Sequence, residues 1–411
     1  MAEKVLARRT LVTVTFDGAD ITEDIKPYLL SLQYTDDMDD MTDDIQFKLQ
    51  DRDGIWLESW LAEAVKAAAS GKLKISAEII PEHWGGSGAL PTGAFELDSV
   101  EASAPPSVIT INGTSLAFSA AVRQTKKSKA WENYTLSGIA NEIAGNGGMG
   151  CMFESASDPS YDRVEQTDRS DIDFLKKLCG DAGISVKATD GKLVLFDLAD
   201  YEAKPPVLTI KRGREGGYIK YKLSSGSADT KYSSCRVSYM NPATGKLIEG
   251  TAEDGSVSTD QCLEITAKVK SAGEAQALAA RRLRLHNKFA RIISITLPGN
   301  TALVAGVTLQ LSGWGGWSGK YLVKKATHTV SASGYTTKIE GYAVSPSDET
   351  GGAADKSGST YTVKKGDSLW AIAKKQYGSG AKWKKIYEAN KDVIGSNPNK
   401  IYPGQKFTIP E

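Results

Sequence analysis

Apolar and polar residues alternate with a period of two over TLVTVTFDGADITEDI, Thr10 to Ile25. That alternation predicts a strand, a turn at Asp17-Gly18 and a short return. IQFKLQDRDG repeats the pattern before Asp53-Gly54. A helix is expected over Ile55–Ala69, with Trp56 and Trp60 one turn apart and Gly71 just beyond its end. KLKISAEII and GAFELDSVEAS read as further strands, joined by the turn-rich PEHWGGSGALPTG. SVITINGTS is strand-like, and TLSGIANEIA sets Leu136, Ile139, Ala140 and Ile143 on one helical face.

SDIDFLKKLCGDAG is a stronger helix signal. Ser170 can cap it with Asp173 in the reciprocal position, Ile172, Leu175 and Cys179 form a stripe, and Gly183 ends it. ISVKATDGKLVLFDL alternates on both sides of Asp190-Gly191, a two-residue hairpin signal. Ser271 and Glu274 fit a capping box opening a helix over EAQALAARRLRLHNKF. RIISITLPG, GVTLQLSG, KYLVKKATHTV and GYTTKIEGYAV then read as consecutive strands. Residues 345–360, SPSDETGGAADKSGST, have the composition of a flexible tether with a root-mean-square span of roughly 20 Å.

After the tether, Tyr361 and Val363 alternate as a short strand. Gly366-Asp367 turns into a helix carrying Leu369, Ile372 and Ala373. A second helix sets Trp383, Ile386 and Tyr387 on one face. Pro403-Gly404 then leads to a last strand with Phe407 and Ile409. The expected plan is strand–helix–helix–strand.

Composition adds a compartment and removes some partners. In 411 residues, 50 Lys and Arg balance 50 Asp and Glu, so no net charge favours nucleic acid, and specific nucleic-acid binding is not expected. The balance is uneven. Ten Lys against four acids give residues 361–411 a net charge of +6, leaving −6 on the rest. The opening MAEKVLARRT lacks an apolar core of secretory length, and no apolar run reaches the length of a membrane span. Neither a signal peptide nor a membrane anchor is expected. Cys151, Cys179, Cys235 and Cys262 form no CxxC pair, which predicts buried thiols in a cytoplasmic fold rather than disulfides or a metal site.

Candidate chemistry is sparse. DDMDDMTDD, Asp36 to Asp44, lacks the Gly at position six and Glu at position twelve of an EF-hand loop, and reads as a solvated acidic loop. GWGGWSG, Gly313 to Gly319, has glycines but no GK[ST], and reads as a wide hairpin exposing Trp314 and Trp317 for subunit contacts. His83, His286 and His328 belong to no metal motif, and there is no GxSxG. No catalytic residue, cofactor or metal is expected. Spaced Asp/Glu pairs alone do not make a hydrolase.

YTVKKGDSLWAIA, IYEAN and IYPGQKFTIP together resemble the LysM family over the whole of residues 361–411. The resemblance implies binding of N-acetylglucosamine-containing chains such as peptidoglycan, in a groove between two loops. Carried over to this sequence, one wall would be Gly366, Asp367, Ser368 and Leu369, the other Asn397, Pro398, Ile401 and Tyr402. Leu369 and Ile401 equally suit a core position, and Asp367 suits a helix cap.

Upstream, four segments occur in order: YTDDMDDMTDDIQFKLQDRDGIWLESWL, AVRQTKKSKAWENYTLSGIANEIA, DRVEQTDRSDIDFLKKLCGDAGISVKATDGKLVLFD and GKYLVKKATHTVSASGYTTKIEGY. Together they resemble the late control D, or baseplate hub, family of contractile phage tails, and the N-terminal part of type VI secretion spike proteins. The resemblance covers nearly all of residues 1–345.

It implies an α+β, β-rich hub of two related β-barrel domains with helical insertions over 1–345, a linker over 346–360 and a small βααβ domain over 361–411. The implied protein is a non-enzymatic homotrimer. Its partners would be the tail tube protein, the central spike protein and other baseplate proteins, in a virion or tail-like particle assembled in the bacterial cytoplasm. No long spike-type β-helix is present, so the puncturing tip would be another chain. The rival expectations are a stand-alone cell-wall-binding protein and a tail-associated peptidoglycan hydrolase.

Overall fold

The computed structural model describes residues 7–38, 42–56, 58, 73–83, 88–115, 125–189, 191–225, 231–242, 244–255, 257, 260–288, 291–344, 359–363, 367–377, 380–395, 397–398, 401–402 and 404–409. The helix expected over 55–69 falls almost wholly outside them, as do residues 345–358 of the expected tether. The chain divides into two compact units, Met1–Ser345 and Pro346–Glu411.

The first unit opens with β1 (Arg9–Phe16), β2 (Ala19–Asp20), a one-turn helix α1 (Thr22–Ile25) and β3 (Leu29–Asp37). β4 (Asp44–Gln50), β5 (Lys74–Glu82), β6 (Leu90–Ser103) and β7 (Val108–Thr114) follow. Period-two alternation is what lets these strands bury one face. In β4, Ile45, Phe47 and Leu49 point into the core, where Val14, Leu32, Ile75, Ile79, Phe95 and Ile111 join them.

The chain then builds an insertion from β8 (Lys127–Thr135), α2 (Leu136–Asn146), β9 (Gly150–Glu154) and β10 (Ser160–Arg169), followed by α3 (Asp171–Ala182), β11 (Ser185–Thr189) and β12 (Lys192–Phe196). It has its own core, centred on Trp131, Ile139, Ile143, Phe174, Leu175, Leu193 and Leu195. Thr135 caps α2, accepting from Gly138 N at 3.1 Å. Ser170 caps α3 as expected, but the reciprocal contact differs. The Ser170 hydroxyl donates to Asp173 Oδ2 at 2.8 Å. Aspartate is one methylene shorter than the glutamate of a capping box. Gly183 closes α3 in the left-handed region at φ 72°.

After α4 (Leu198–Ala203), β13 (Pro206–Lys211) and β14 (Lys220–Ser225), a second insertion forms. It contains β15 (Ser234–Asn241), β16 (Lys246–Glu253), β17 (Cys262–Thr266) and α5 (Ala272–Asn287), packed about Cys235, Val237, Ala275 and Ala279. Ser271 caps α5 at Glu274 N, and Glu274 reaches back to Lys270 N at 2.7 Å. β18 (Arg291–Pro298), β19 (Thr308–Ser312), β20 (Gly319–Ser331) and β21 (Gly334–Ala343) complete the unit over a further core, with Ile210, Ile293, Ile295, Leu309 and Ile339.

The expected pair of β-barrels is not what forms. Among the described residues no sheet closes. One 13-stranded sheet runs β14-β18-β21-β20-β3-β4-β7-β6-β5-β1-β2, with β13 and β19 branching from β20. The two halves merge through β20. Its C-terminal part pairs antiparallel with β3, placing His328 opposite Tyr34 and Ala326 opposite Asp36. A register irregularity between Val323 and Lys325 marks where β20 changes alignment. Two cores thus sit on one continuous, open sheet rather than inside two barrels.

The second unit pairs β22 (Ser359–Thr362) with β23 (Lys406–Ile409), Tyr361 opposite Phe407. Between them lie α6 (Leu369–Tyr377), α7 (Trp383–Ala389) and the single turn α8 (Lys391–Ile394). Val363, Leu369, Ile372, Ala373, Ile386, Ile394 and Phe407 form its core. Ser359 and Thr360, expected in the tether, already belong to β22.

Candidate functional site

The C-terminal unit carries the residues that the LysM resemblance assigns to a groove. On the first loop, Gly366 lies outside the described residues, Asp367 is half-buried and Ser368 is exposed. Leu369 is 4% exposed and belongs to the core. On the second loop, Asn397 is exposed, Pro398 is half-buried, Ile401 packs against the core and Tyr402 is exposed. The exposed surface on these loops is therefore polar and aromatic rather than aliphatic.

Ser368, not Asp367, caps α6: its hydroxyl accepts from Ala371 N at 3.2 Å. Asp367 instead accepts a hydrogen bond from the Tyr361 hydroxyl at 2.9 Å, tying the loop to the first strand. That bond to a carboxylate pushes the Tyr361 phenol above its ordinary range. Gln405 braces the second loop, accepting from Tyr402 N at 2.8 Å and donating to Val393 O at 3.0 Å.

In the first unit, the acidic run differs most from its expected state. Asp36, Asp37 and Asp43 are buried rather than solvated. Lys187, from β11, is ion-paired with Asp36 and lies 2.8 Å from Asp43 Oδ1. Asp36 Oδ2 accepts from Ala305 N at 2.8 Å, and Asp43 Oδ2 from the Thr189 hydroxyl at 3.1 Å. Lys325 pairs with Asp37 at 3.0 Å. Strands β3 and β4 are thereby fastened to the insertion's β11–β12 hairpin. A half-open cavity of about 270 Å³ adjoins this triad, with Tyr34, Phe196 and Tyr201 among its walls.

Two carboxylates share one ammonium there. Burial, only partly offset by Lys187 and reinforced by Asp36, raises Asp43 to about 6. Burial also acts against the Lys187 ammonium, but Asp36 and Asp43 outweigh it and hold it above its usual range. Next to this cluster, His328 is fully buried, with Nδ1 2.8 Å from the Tyr335 hydroxyl and Nε2 3.0 Å from Leu303 O. Burial lowers it to about 4, so it is neutral at pH 7. The carbonyl can only accept, so Nε2 carries the proton and Nδ1 accepts from Tyr335.

Trp314, expected at the surface, is 5% exposed and donates from Nε1 to Ile210 O at 3.0 Å. Trp317 is partly buried against the same core. Exposed apolar residues among the described ones in this region include Val207, Ile219, Tyr221 and Ile292. Among the described residues no group of three or more His, Cys, Asp or Glu is arranged to hold a metal, and no helix is long and apolar enough to cross a membrane.

Residues 117–334, more than half of the chain, match the phage tail baseplate hub (GPD) family. The chain belongs to that family. Residues 361–410 match the LysM domain. The hub family is a structural, non-catalytic class, so this protein is a structural component of a phage-type tail baseplate that also carries a C-terminal LysM domain.

The probable baseplate hub protein of Escherichia phage 186 is 23% identical over 369 residues, covering 80% of this hub protein and 91% of that one. The 43 kDa tail protein of prophage MuSo2 from Shewanella oneidensis shares the fold at a TM-score of 0.57 and 13% identity, covering 81% of this chain and 98% of that chain. The potassium binding protein Kbp of Escherichia coli O6:H1 is 57% identical over 51 residues, 12% of this chain. That match spans 34% of Kbp, about a third of its length.

Proposed function

We propose that the hub protein forms a homotrimer at the end of a contractile tail, joining the tail tube to a central spike supplied by another chain. Assembly takes place in the bacterial cytoplasm, and the finished subunit resides in a virion or tail-like particle. The observation that carries this reading is the hub-family match combined with one continuous sheet whose path ends at β14 on one side and at β1–β2 on the other. Sheet ends are where strands of neighbouring chains can add. Free subunits stay monomeric until tube and spike partners complete the ring. Cross-linking of isolated particles tests it: residues 1–345 should cross-link to tube and spike proteins, and cross-links only to sheath would contradict it.

The LysM domain engages peptidoglycan N-acetylglucosamine chains through the loops bearing Gly366, Asp367, Ser368 and Leu369 and Asn397, Pro398, Ile401 and Tyr402. Its net charge of +6 supports attraction to acidic wall polymers. Saturable binding of N-acetylglucosamine oligomers by the full chain is the expected result. Binding to a purified baseplate protein without sugar binding would make the domain a protein dock instead.

A further inference from the structure

Tyr34 is 6% exposed, yet its hydroxyl makes no hydrogen bond among the described residues. The ring is held in place, edge-on to Phe95 and stacked with His328. Tyr34 and Asp36 lie two residues apart on β3, so they point to one side of the sheet, and both line the cavity of about 270 Å³. Burial, and then the charges of Asp36 and Asp43, push the phenol above its ordinary range, so the neutral hydroxyl stands near both carboxylates. A buried hydroxyl left without a bond is costly, and here it borders a space that a ligand can enter.

The carboxylates keep capacity too. Asp36 is bonded by Lys187 and Ala305 N, and Asp43 by Lys187, Asp37 N and the Thr189 hydroxyl. An ionised carboxylate offers about four lone-pair positions, so each has acceptor capacity left beyond these bonds. Asp36, Asp43 and Lys187 together carry one more negative charge than positive. A divalent metal ion would bring two charges against the Lys187 ammonium, and the remaining walls, Met38, Val194, Phe196 and Tyr201, offer it little. A guanidinium fork needs two oxygens of one carboxylate side by side, and those oxygens are already engaged. A primary ammonium has three donors, and aromatic walls favour a cation with an apolar body.

We propose that this cavity, between the main sheet and the first insertion, binds a small aliphatic amine. Its ammonium donates to Asp36, Asp43 and the Tyr34 hydroxyl, and its chain lies along Val194 and Phe196. The volume lies just below the roughly 300–1,000 Å³ of ordinary small-molecule pockets, which suits a short chain. Bound there, the ligand joins β3 and β4 to β11 and β12 from inside the cavity.

Calorimetric titration of the full chain with n-pentylamine, and with n-pentanol as the uncharged match, tests the site. The amine should bind saturably, one per chain, and at least about tenfold more tightly than the alcohol. Asp43→Asn should weaken the amine by about tenfold and leave the alcohol unchanged. Tyr34→Phe keeps the ring in the core and should weaken the amine by roughly threefold to tenfold. The amine should also slow hydrogen exchange in β11 and β12. Thermal melting of each variant separates these effects from misfolding. Equal affinity for amine and alcohol, or no saturable binding of the amine, would overturn the proposal. Wild-type amine affinity in folded Asp43→Asn would overturn the location, and in folded Tyr34→Phe the role of the phenol.

Discussion

Lys187 Nζ lies 2.8 Å from Asp43 Oδ1 and pairs on its other side with Asp36, joining residues about 150 positions apart in the chain. The contact fixes the first insertion to the main sheet and sets two buried carboxylates against one ammonium. Its energetics can be read by removing either sign of charge.

Removing the ammonium should be severe. Lys187→Met leaves two buried carboxylates facing each other, and breaking such a pair costs about 3–5 kcal/mol. The expected outcome is a lower thermal midpoint, with faster hydrogen exchange concentrated in β11 and β12. An unchanged melt would contradict the structural role given to this triad.

Acid should act with two opposed signs. Asp43 titrates higher in the folded state, about 6, than its ordinary 3.8. Its charge therefore penalises the fold above pH 6, and that penalty is lifted as pH falls from 6 towards 4. His328 has the reverse sign. Its folded value of about 4 lies below its ordinary 6.5, so stability present above pH 6.5 is lost as pH falls towards 4. Asp43→Asn removes the first effect and keeps the second. At pH 7 the variant should be as stable as wild type or more so. By pH 4.5 the difference should have moved in favour of wild type by on the order of 1–3 kcal/mol. Denaturation at both pH values measures this, and a pH-independent difference would contradict it.

Gly183 ends α3 at φ 72°, and a Cβ there would lie 2.6 Å from Arg281 Cβ on α5. Gly183→Ala should therefore cost more than the ~1 kcal/mol of left-handed backbone alone and push α5 away from α3. A lowered midpoint is expected. A stabilised protein would show that the close approach is not maintained.

The helix cap expected of Asp367 is made by Ser368, and Asp367 accepts from Tyr361. Ser368→Ala should cost the C-terminal unit about 0.5–2 kcal/mol through the lost cap. Asp367→Asn still accepts from Tyr361 and should leave the unit folded, which makes it a clean probe of binding. Local hydrogen exchange over α6 distinguishes the two variants.

These cases show what was legible beforehand. Helix caps at Ser170, Ser271 and Gly183 are short-range patterns, and the core positions Leu369, Ile372 and Ile386 follow from helical spacing. The buried triad was not legible, because a run of aspartates looks solvated until its partner arrives from Lys187. Trp314 looked exposed because its glycine-rich neighbours read as a hairpin tip, and its partner, Ile210 O, lies on another strand. The fused sheet was equally hidden. It depends on β20 pairing with β3 across almost the whole first unit, which no local alternation encodes. Barrels were expected from family resemblance, and an open sheet is what these registers produce.

The threefold hub is the central claim, and subunit counting in isolated particles tests it most directly. Mass or density measurement of intact tails should find three copies of this chain, at the end of the tube beside the spike. Six copies per particle, or copies distributed along the sheath, would contradict it.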